Sequence, residues 1–471
     1  MTTSSSRPDA TAMAAAVRAG TTTAEELVAE SFARIDAWDG EVNAFTVLLR
    51  EEALARAREV DRDLGRDPAA YGPLAGVPVS VKDHIWMAGQ PSTNGSLALR
   101  DFVPDVDAVP VSRLREAGAV VVGKTNNPEF CYRGYTDNAV AGLTRNPWSL
   151  DRTPGGSSGG AGASVAYGAT PVALGTDGGG SIRIPAAFCG VAGHKPSFGL
   201  VPKLPGFRGW PTLSVDGPLA ASVRDLALVL RVVAGSHPAD PLTWPVPLGD
   251  DVPLDWTRLR VAVSDDLGWA PVAPEVRTAF RAAVERLADD GAQVVEAHPD
   301  AGYPTDLWND IALPEGFASE GPLLDHPDLD EATREIVEGG RAATAADYLD
   351  AQQRRVAFTD TWERFFADHD VLLSPSMPVP AFGTDVTGPT EIDGRPVDPF
   401  FDDWCVLALP ANLTGQPATA VPTGLSGDGL PVGLQVMGPR WADLRTLAVA
   451  ARVEALTGFV LEPAIGPGPV R

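Results

Sequence analysis

Cysteine, histidine, positive charge and long apolar runs are all scarce in this chain, and each scarcity removes a class of protein. Its 471 residues hold three cysteines, Cys131, Cys189 and Cys405. They are odd in number and far apart, so they suggest neither a disulfide framework nor a CxxC metal or redox motif, and they read as buried thiols. The six histidines include no pair at metal-ligand spacing, so no metal is expected. Cofactor motifs are missing too, one misleading match apart, and no cofactor is expected. No run of about 18 apolar residues could span a bilayer. The amino terminus has only a short apolar stretch, Met13 to Val17, preceded by an acidic residue, which does not make a secretory leader; a cytoplasmic protein is expected. Lysine and arginine number 37 against 62 aspartate and glutamate, a formal charge of −25. That field repels phosphate backbones and anionic headgroups, so nucleic acid and membrane are excluded as partners.

What is present is ample apolar content, 44% hydrophobic, enough for a large core. Residues 10 to 66 read as helical: Thr22 and Thr23 each stand three before a glutamate, Glu25 and Glu26, ahead of the periodic run LVAESFARI. From Gly76 the texture changes. GVPVSVKD, GAVVVGKT, TPVALGTD and LRVAVSDD are short β-branched runs bounded by turn residues and separated by helix-like stretches such as VSRLREAG, which argues for an α/β sheet. Residues 240 to 400 are richer in Pro, Trp and Asp, with amphipathic helices at VRTAFRAAVERLADDG and from ATREIVEGG to FFADH. The carboxy-terminal part resumes strand, hairpin and helix. Neither internal repeats nor low-complexity tracts occur. The whole, 1–471, reads as one domain: an N-terminal helical segment (8–70), a core (72–220), a variable region over a cleft (240–400) and a C-terminal sheet and helix (401–471).

The segment TPGGSSGGAGASVAYGATPVALGTDGGGSIRIPAAFCG, from Thr153, carries two serine-bearing glycine clusters around a short helix and a strand. Glycine lets a backbone come close to a ligand, so Gly178-Gly179-Gly180 before Ser181 can aim several N–H groups at one point, the requirement of an oxyanion hole. Ser181 by itself would also suit a helix N-cap. Lys82 ends the alternating strand Val77-Val79-Val81, a position that turns a lysine into or beside the core. A desolvated lysine loses affinity for its proton and becomes a base, whereas a lysine snorkelling to solvent beside Asp83 would not.

With Lys82 in GVPVSVKD and 24 residues between Ser157 and Ser181, the chain resembles the amidase signature family, hydrolases that use a Ser–cis-Ser–Lys triad. The likeness is strongest at 72 to 220 and 370 to 460. It implies an α/β fold with a central twisted mixed sheet flanked by helices on both faces. It implies Ser181 as nucleophile, Ser157 as bridging serine after a cis Gly156-Ser157 bond, and Lys82 as base. The oxyanion hole then falls to the N–H groups of Gly178, Gly179, Gly180 and Ser181, with Ser158 and Asp177 supporting. Many relatives have a Thr or aliphatic residue where this chain has Gly178, which should loosen the oxyanion loop or open room beside it.

Two motif matches compete. GAVVVGKT, Gly118 to Thr125, satisfies the P-loop pattern, but its supposed phosphate loop is a run of valines. GGSSG and GSSGG satisfy G-x-S-x-G, the elbow of α/β-hydrolase esterases, without a preceding strand or a histidine in catalytic context. His84 reads as a hydrogen-bonded structural histidine.

The expected activity is hydrolysis of a carboxylic amide, apolar or aromatic, with carbamate or ester also within reach. The alternative is the glutaminase component of a tRNA-dependent amidotransferase. That component commonly carries an acidic residue where this chain has Cys405 beside Trp404, which favours an apolar pocket. Trp86, Phe130, Trp210, Trp404 and Cys405 are the candidate pocket residues, with Phe207, Phe400 and Phe401 as further aromatics that could line the cleft or simply pack. The expected partners are a small-molecule substrate and water, and the expected state is a monomer or homodimer.

Overall fold

The computed structural model describes residues 9–249, 254–400 and 403–466. Its strands are β1 (Phe45–Leu48), β2 (Pro78–Lys82), β3 (Val120–Thr125), β4 (Val172–Asp177), β5 (Ala192–Lys195), β6 (Val215–Ala220), β7 (Arg260–Val263), β8 (Gln293–Glu296), β9 (Val371–Pro375), β10 (Glu391–Ile392), β11 (Arg395–Pro396), β12 (Ala418–Leu425) and β13 (Pro431–Met437). All but the β10–β11 ribbon join one mixed sheet in the order β1-β3-β2-β4-β6-β5-β12-β13-β9-β7-β8. The centre is parallel where β2 lies between β3 and β4, and antiparallel where β4 meets β6 and β12 meets β5 and β13.

The sheet is covered on both faces. Val261 and Val263 of β7 and Val371 and Leu373 of β9 enter one apolar cluster, while the alternate residues Ala262 and Leu372 enter the other. That is the period-2 alternation of strands between two helical layers. One layer includes the helices Ala24–Val42, Val223–Val233 and Asp443–Thr457, and the opposite one includes Thr305–Glu320 and Ala345–Asp368. None of the helices among the described residues is long and apolar enough to cross a membrane.

The four β-branched runs form β2, β3, β4 and β7, and VSRLREAG supplies the helix Val109–Glu116. Thr23 and Glu26 make the reciprocal capping box, whereas Thr22 donates to Glu26 instead. Two boundaries differ from expectation. Residues 10 to 66 are three helices interrupted by β1, a short edge strand antiparallel to β3, and the long helical stretch beginning at Ala332 splits into Glu331–Gly339 and Ala345–Asp368. The split falls at Gly339-Gly340, and Thr344 caps the second helix through a box with Asp347, a local signal strong enough to start a new helix. In the P-loop look-alike, β3 is wholly buried and Lys124 donates to Asp83 O and Pro91 O at 2.9 and 2.8 Å. No phosphate loop exists there.

Candidate active site

Three elements bring the chemistry together at the carboxyl ends of β2 and β4. β2, buried throughout, delivers Lys82 at its last position. β4 ends at Asp177 and runs into the loop 178–181, after which the helix Arg183–Cys189 begins. Ser157 and Ser158 precede the helix Gly159–Ala166, and the Gly156–Ser157 peptide bond is cis.

Lys82 is fully buried and donates to Ser157 Oγ at 2.7 Å and to Thr176 Oγ1 at 2.8 Å. Among the described residues it has no carboxylate partner at ion-pair distance. Burial pushes its pKa below the ordinary lysine value, with Cys131, Asp216 and Asp177 opposing. Two hydroxyls and no counter-ion suit a neutral amine better than an ammonium. Ser157 and Ser181 line the same narrow cavity of about 20 Å³, together with Thr176, Gly178, His84, Phe130 and Trp210. Ser158 faces away from it: its hydroxyl donates to Thr176 O and accepts from Thr176 N, both at 3.2 Å. A serine locked between two strand groups is no exposed elbow nucleophile. Buried His194, the first histidine after it, faces Thr419 and Asp443 rather than a serine. The esterase alternative therefore has no constellation to stand on.

The loop 178–181 is held from below by Asp177. Its carboxylate accepts from Gly180 N at 2.8 Å and Ile182 N at 3.2 Å. Arg183 grips it with two bonds of 3.0 Å and reaches on to Asn412 and Gln435. Burial alone would raise the pKa of Asp177, but the adjacent Arg183 outweighs it and holds the carboxyl below its usual range. Gly180 has φ of 114°, a conformation that only glycine adopts without strain. Its N–H is committed to Asp177, which removes it from the expected oxyanion set. Among the described residues the N–H groups of Gly178, Gly179 and Ser181 meet no acceptor.

Gly178 does not loosen the loop. A Cβ there would lie 2.6 Å from Trp210 Cε3, so the indole fills the room, and Trp308 Nε1 donates to Gly178 O at 3.1 Å. Two tryptophans, edge to face at 4.9 Å, clamp a residue without a side chain.

Of the expected pocket residues, Phe130 and Trp210 line the cavity shared by Ser157 and Ser181. Trp86 stands one layer back, against Phe102 and Phe207 at 5.2 and 5.6 Å, because Phe207 fills the space in front of it. Trp404 and Cys405 are core residues. Trp404 packs on Phe188 and Phe382 and donates to Pro399 O, and Cys405 is buried in the same apolar cluster. Phe400 lines a neighbouring cleft of about 360 Å³ with Tyr132, Trp210 and Trp308; Phe401 lies outside the described residues. His84 is hydrogen-bonded to Asn94 Oδ1 at 3.0 Å, and burial first, then Lys203 and Lys82, keep it neutral. Sequence reasoning missed Thr176, Cys131, Lys203 and Asn412. Thr176 alone left a trace, as the residue beside Asp177 in the strand that leads to the glycine-rich loop before Ser181.

Comparison with known proteins agrees with this geometry. The family model described as Amidase matches residues 26–447. An acylamidase of Rhodococcus erythropolis is 39% identical over 458 residues, 95% of each chain. The A component of the glutamyl-tRNA(Gln) amidotransferase of Synechococcus sp. (strain RCC307) is 37% identical over 473 residues, 93% of this chain and 95% of its own. The crystal structure of a bacterial aryl acylamidase of the amidase signature family superposes with a TM-score of 0.87 at 30% identity, covering 96% of both chains. A buried lysine hydrogen-bonded to a serine after a cis bond, a second serine in the same cavity and a family match over most of the sequence make this chain a member of the amidase signature family, a hydrolase of carboxylic amide C–N bonds.

Proposed function

We propose that this enzyme is an acylamidase for apolar or aryl amides, working through an acyl-enzyme on Ser181. The carrying observation is the 2.7 Å contact of Lys82 Nζ with Ser157 Oγ in a cavity that Ser181 shares. Ser181 Oγ attacks the amide carbon while its proton passes to Ser157 Oγ, whose own proton passes to Lys82 Nζ. The tetrahedral oxyanion is met by the N–H groups of Gly178, Gly179 and Ser181. Collapse breaks the C–N bond, the departing amine takes the proton back along the same path, and water then hydrolyses the ester by the reverse relay. Thr176 holds Lys82 in line as its second hydrogen-bond partner.

Substrate class rests on the walls. Tyr132, Trp210 and Trp308 are in ring contact through Trp210, at 5.2 and 4.9 Å, and line the 360 Å³ cleft that adjoins the catalytic cavity. Flat, apolar walls suit an aryl group. The buried placement of Cys405, which leaves no carboxylate from that position to meet a glutamine amine, supports the same reading. The similarity to amidotransferase components keeps one rival: a glutaminase that works within a complex. A panel of chromogenic anilides, carbamates, esters and glutamine, run on the isolated chain, decides between them. Turnover of anilides without a partner is expected; glutamine hydrolysis that needs a co-purifying partner would replace this reading.

A further inference from the structure

Two charged side chains beside the catalytic cavity have no task in the mechanism, Lys203 and Asp216. The backbone N–H of Lys203 is held by Asp240 Oδ2 at 2.9 Å. Its side chain lines the catalytic cavity with Ser157 and Ser181, and it also lines a pocket of about 320 Å³ walled by Val201, Leu204, Phe207, Pro211 and Leu242. One ammonium thus stands at the passage between the nucleophile and the larger pocket. A Cβ built on Gly209 would lie 3.9 Å from Lys203 Nζ and 4.0 Å from His84 Cε1, so the ammonium and the imidazole border the same glycine. Among the described residues Lys203 Nζ has no hydrogen-bond or ion-pair partner.

Asp216 opens the same question from the other side. It is buried, Oδ1 has no donor, and it lines a small cavity shared with His84 and Lys203. It stands too far from Lys203 for an ion pair, and it does not reach the catalytic cavity. The other carboxylates that act on Lys203 are already engaged: Glu315 by Thr212 and Tyr348, Glu320 by Tyr132. Burial lowers the pKa of Lys203, with Asp216, Cys131, Glu315 and Glu320 opposing. Lys203 is half-buried and Asp216 fully buried, and a charged group drawn even partly out of water is seldom left without a partner, because desolvation is expensive. A ligand that supplies the missing partner removes that expense.

We propose that Lys203 is a specificity-determining cation that binds a carboxylate carried by the substrate, on the arm running from the scissile amide into the 320 Å³ pocket. An anion is favoured over a cation because the group that reaches the catalytic cavity is the lysine, while the unpartnered aspartate is set behind it. The pocket's remaining walls are mainly apolar, so the arm is an apolar chain or ring ending in, or bearing, one carboxylate. This rests on the amidase reading for which bond is cut, but binding can be measured without the cut.

The test uses Ser181→Ala, which holds ligands without turnover, and titration calorimetry with two isosteric pairs. One pair places the carboxylate on the acyl side, 4-nitrosuccinanilic acid against its terminal primary amide. The other places it on the amine side, 4-acetamidobenzoate against 4-acetamidobenzamide. In one pair the anion should bind about ten- to a hundredfold more tightly, the range of a hydrogen bond to a charged group. Adding Lys203→Met should bring that ratio close to one, with Lys203→Gln as a second variant should the first not fold. Equal affinities within both pairs, or a preference that survives the loss of the ammonium, would overturn the proposal. Neither result touches amide hydrolysis, whose own failure would appear as wild-type protein inert toward every amide.

Discussion

Asp177 and Asp216 lie on neighbouring strands, β4 and β6, where Asp177 is opposite Val215 and Thr176 opposite Asp216. Their surroundings are opposites. Asp177 is saturated: Arg183, Asn412 and the N–H groups of Gly180 and Ile182 all donate to it. Asp216 has a bare Oδ1, and burial, opposed by Lys203 and Lys82, raises its pKa to about 7. The first is scaffold for the loop on which the proposed nucleophile stands, since such a loop must be fixed before substrate arrives. The second sits behind Lys203, in a small cavity shared with His84, with hydrogen-bonding capacity unspent. Complete satisfaction marks the aspartate that holds the loop, and incomplete satisfaction marks the one beside the proposed anion site.

The largest expected effect tests the loop itself. Ser181→Ala should lower kcat by about 10⁴-fold or more while the fold persists. A fluorophosphonate should add its mass to Ser181 in the wild type, and an adduct on Ser158 would reverse the assignment of the two faces. Lys82→Ala should approach the same loss, and Lys82→Arg should not rescue it because a guanidinium keeps its proton. The wild-type kcat/KM should rise with pH along one limb and reach a plateau, since activity needs the neutral amine and Lys82 titrates below the ordinary lysine value. The same group makes the stability pH-dependent. Its proton is held more tightly in the unfolded chain, so its contribution worsens as pH falls from the unfolded lysine value to the lowered folded one, and is constant below that. A pH profile that does not fall on the acid side, or an active arginine variant, ends the general-base role.

Next comes the contrast in stability. Arg183→Met leaves Asp177 as an uncompensated buried charge and should cost about 3–5 kcal/mol in urea unfolding. Lys203→Met removes a cation that has no partner, and should cost less than about 1 kcal/mol or stabilise. Equal penalties would mean that the two sides of the loop are not built differently. Smaller again is the serine pair: Ser157→Ala should slow acylation by a suicide phosphonate more than Ser158→Ala does, because only Ser157 contacts Lys82. The opposite ranking would move the relay to Ser158.

How much of this is legible in the sequence follows from the range of each signal. β2, β3, β4 and the two serine clusters are local patterns, with alternation or glycine written into a few consecutive residues, and the structure carries them at those same positions. The edge strand β1 has only the four residues FTVL between helices, too short for periodicity to separate from its flanks. Asn412 and Gln435 come from distant parts of the chain to join Arg183 beside Asp177, and no local pattern announces such a meeting. Likeness of position alone puts Trp404 and Cys405 at the pocket. The neighbours that bury Trp404, Phe188 and Phe382, come from separate segments. Gly178 reads as slack because a sequence shows a missing side chain but not what fills its place.

The 2.6 Å between the absent Cβ of Gly178 and the ring of Trp210 also restricts how this enzyme can change. The nucleophile loop and the pocket wall share one volume divided between two positions, so neither can be inherited independently of the other. A bulkier residue at 178 is tolerated only in a lineage that has already given up the indole at 210, and exchanging the indole for a smaller ring leaves a vacancy that 178 can occupy. Each change blocks the path when made first at 178 and opens it when made first at 210. Selection for a new substrate group through Trp210 therefore acts on the loop 178–181 as well, and a library that varies the two codons together reaches sequences that one-at-a-time substitution does not.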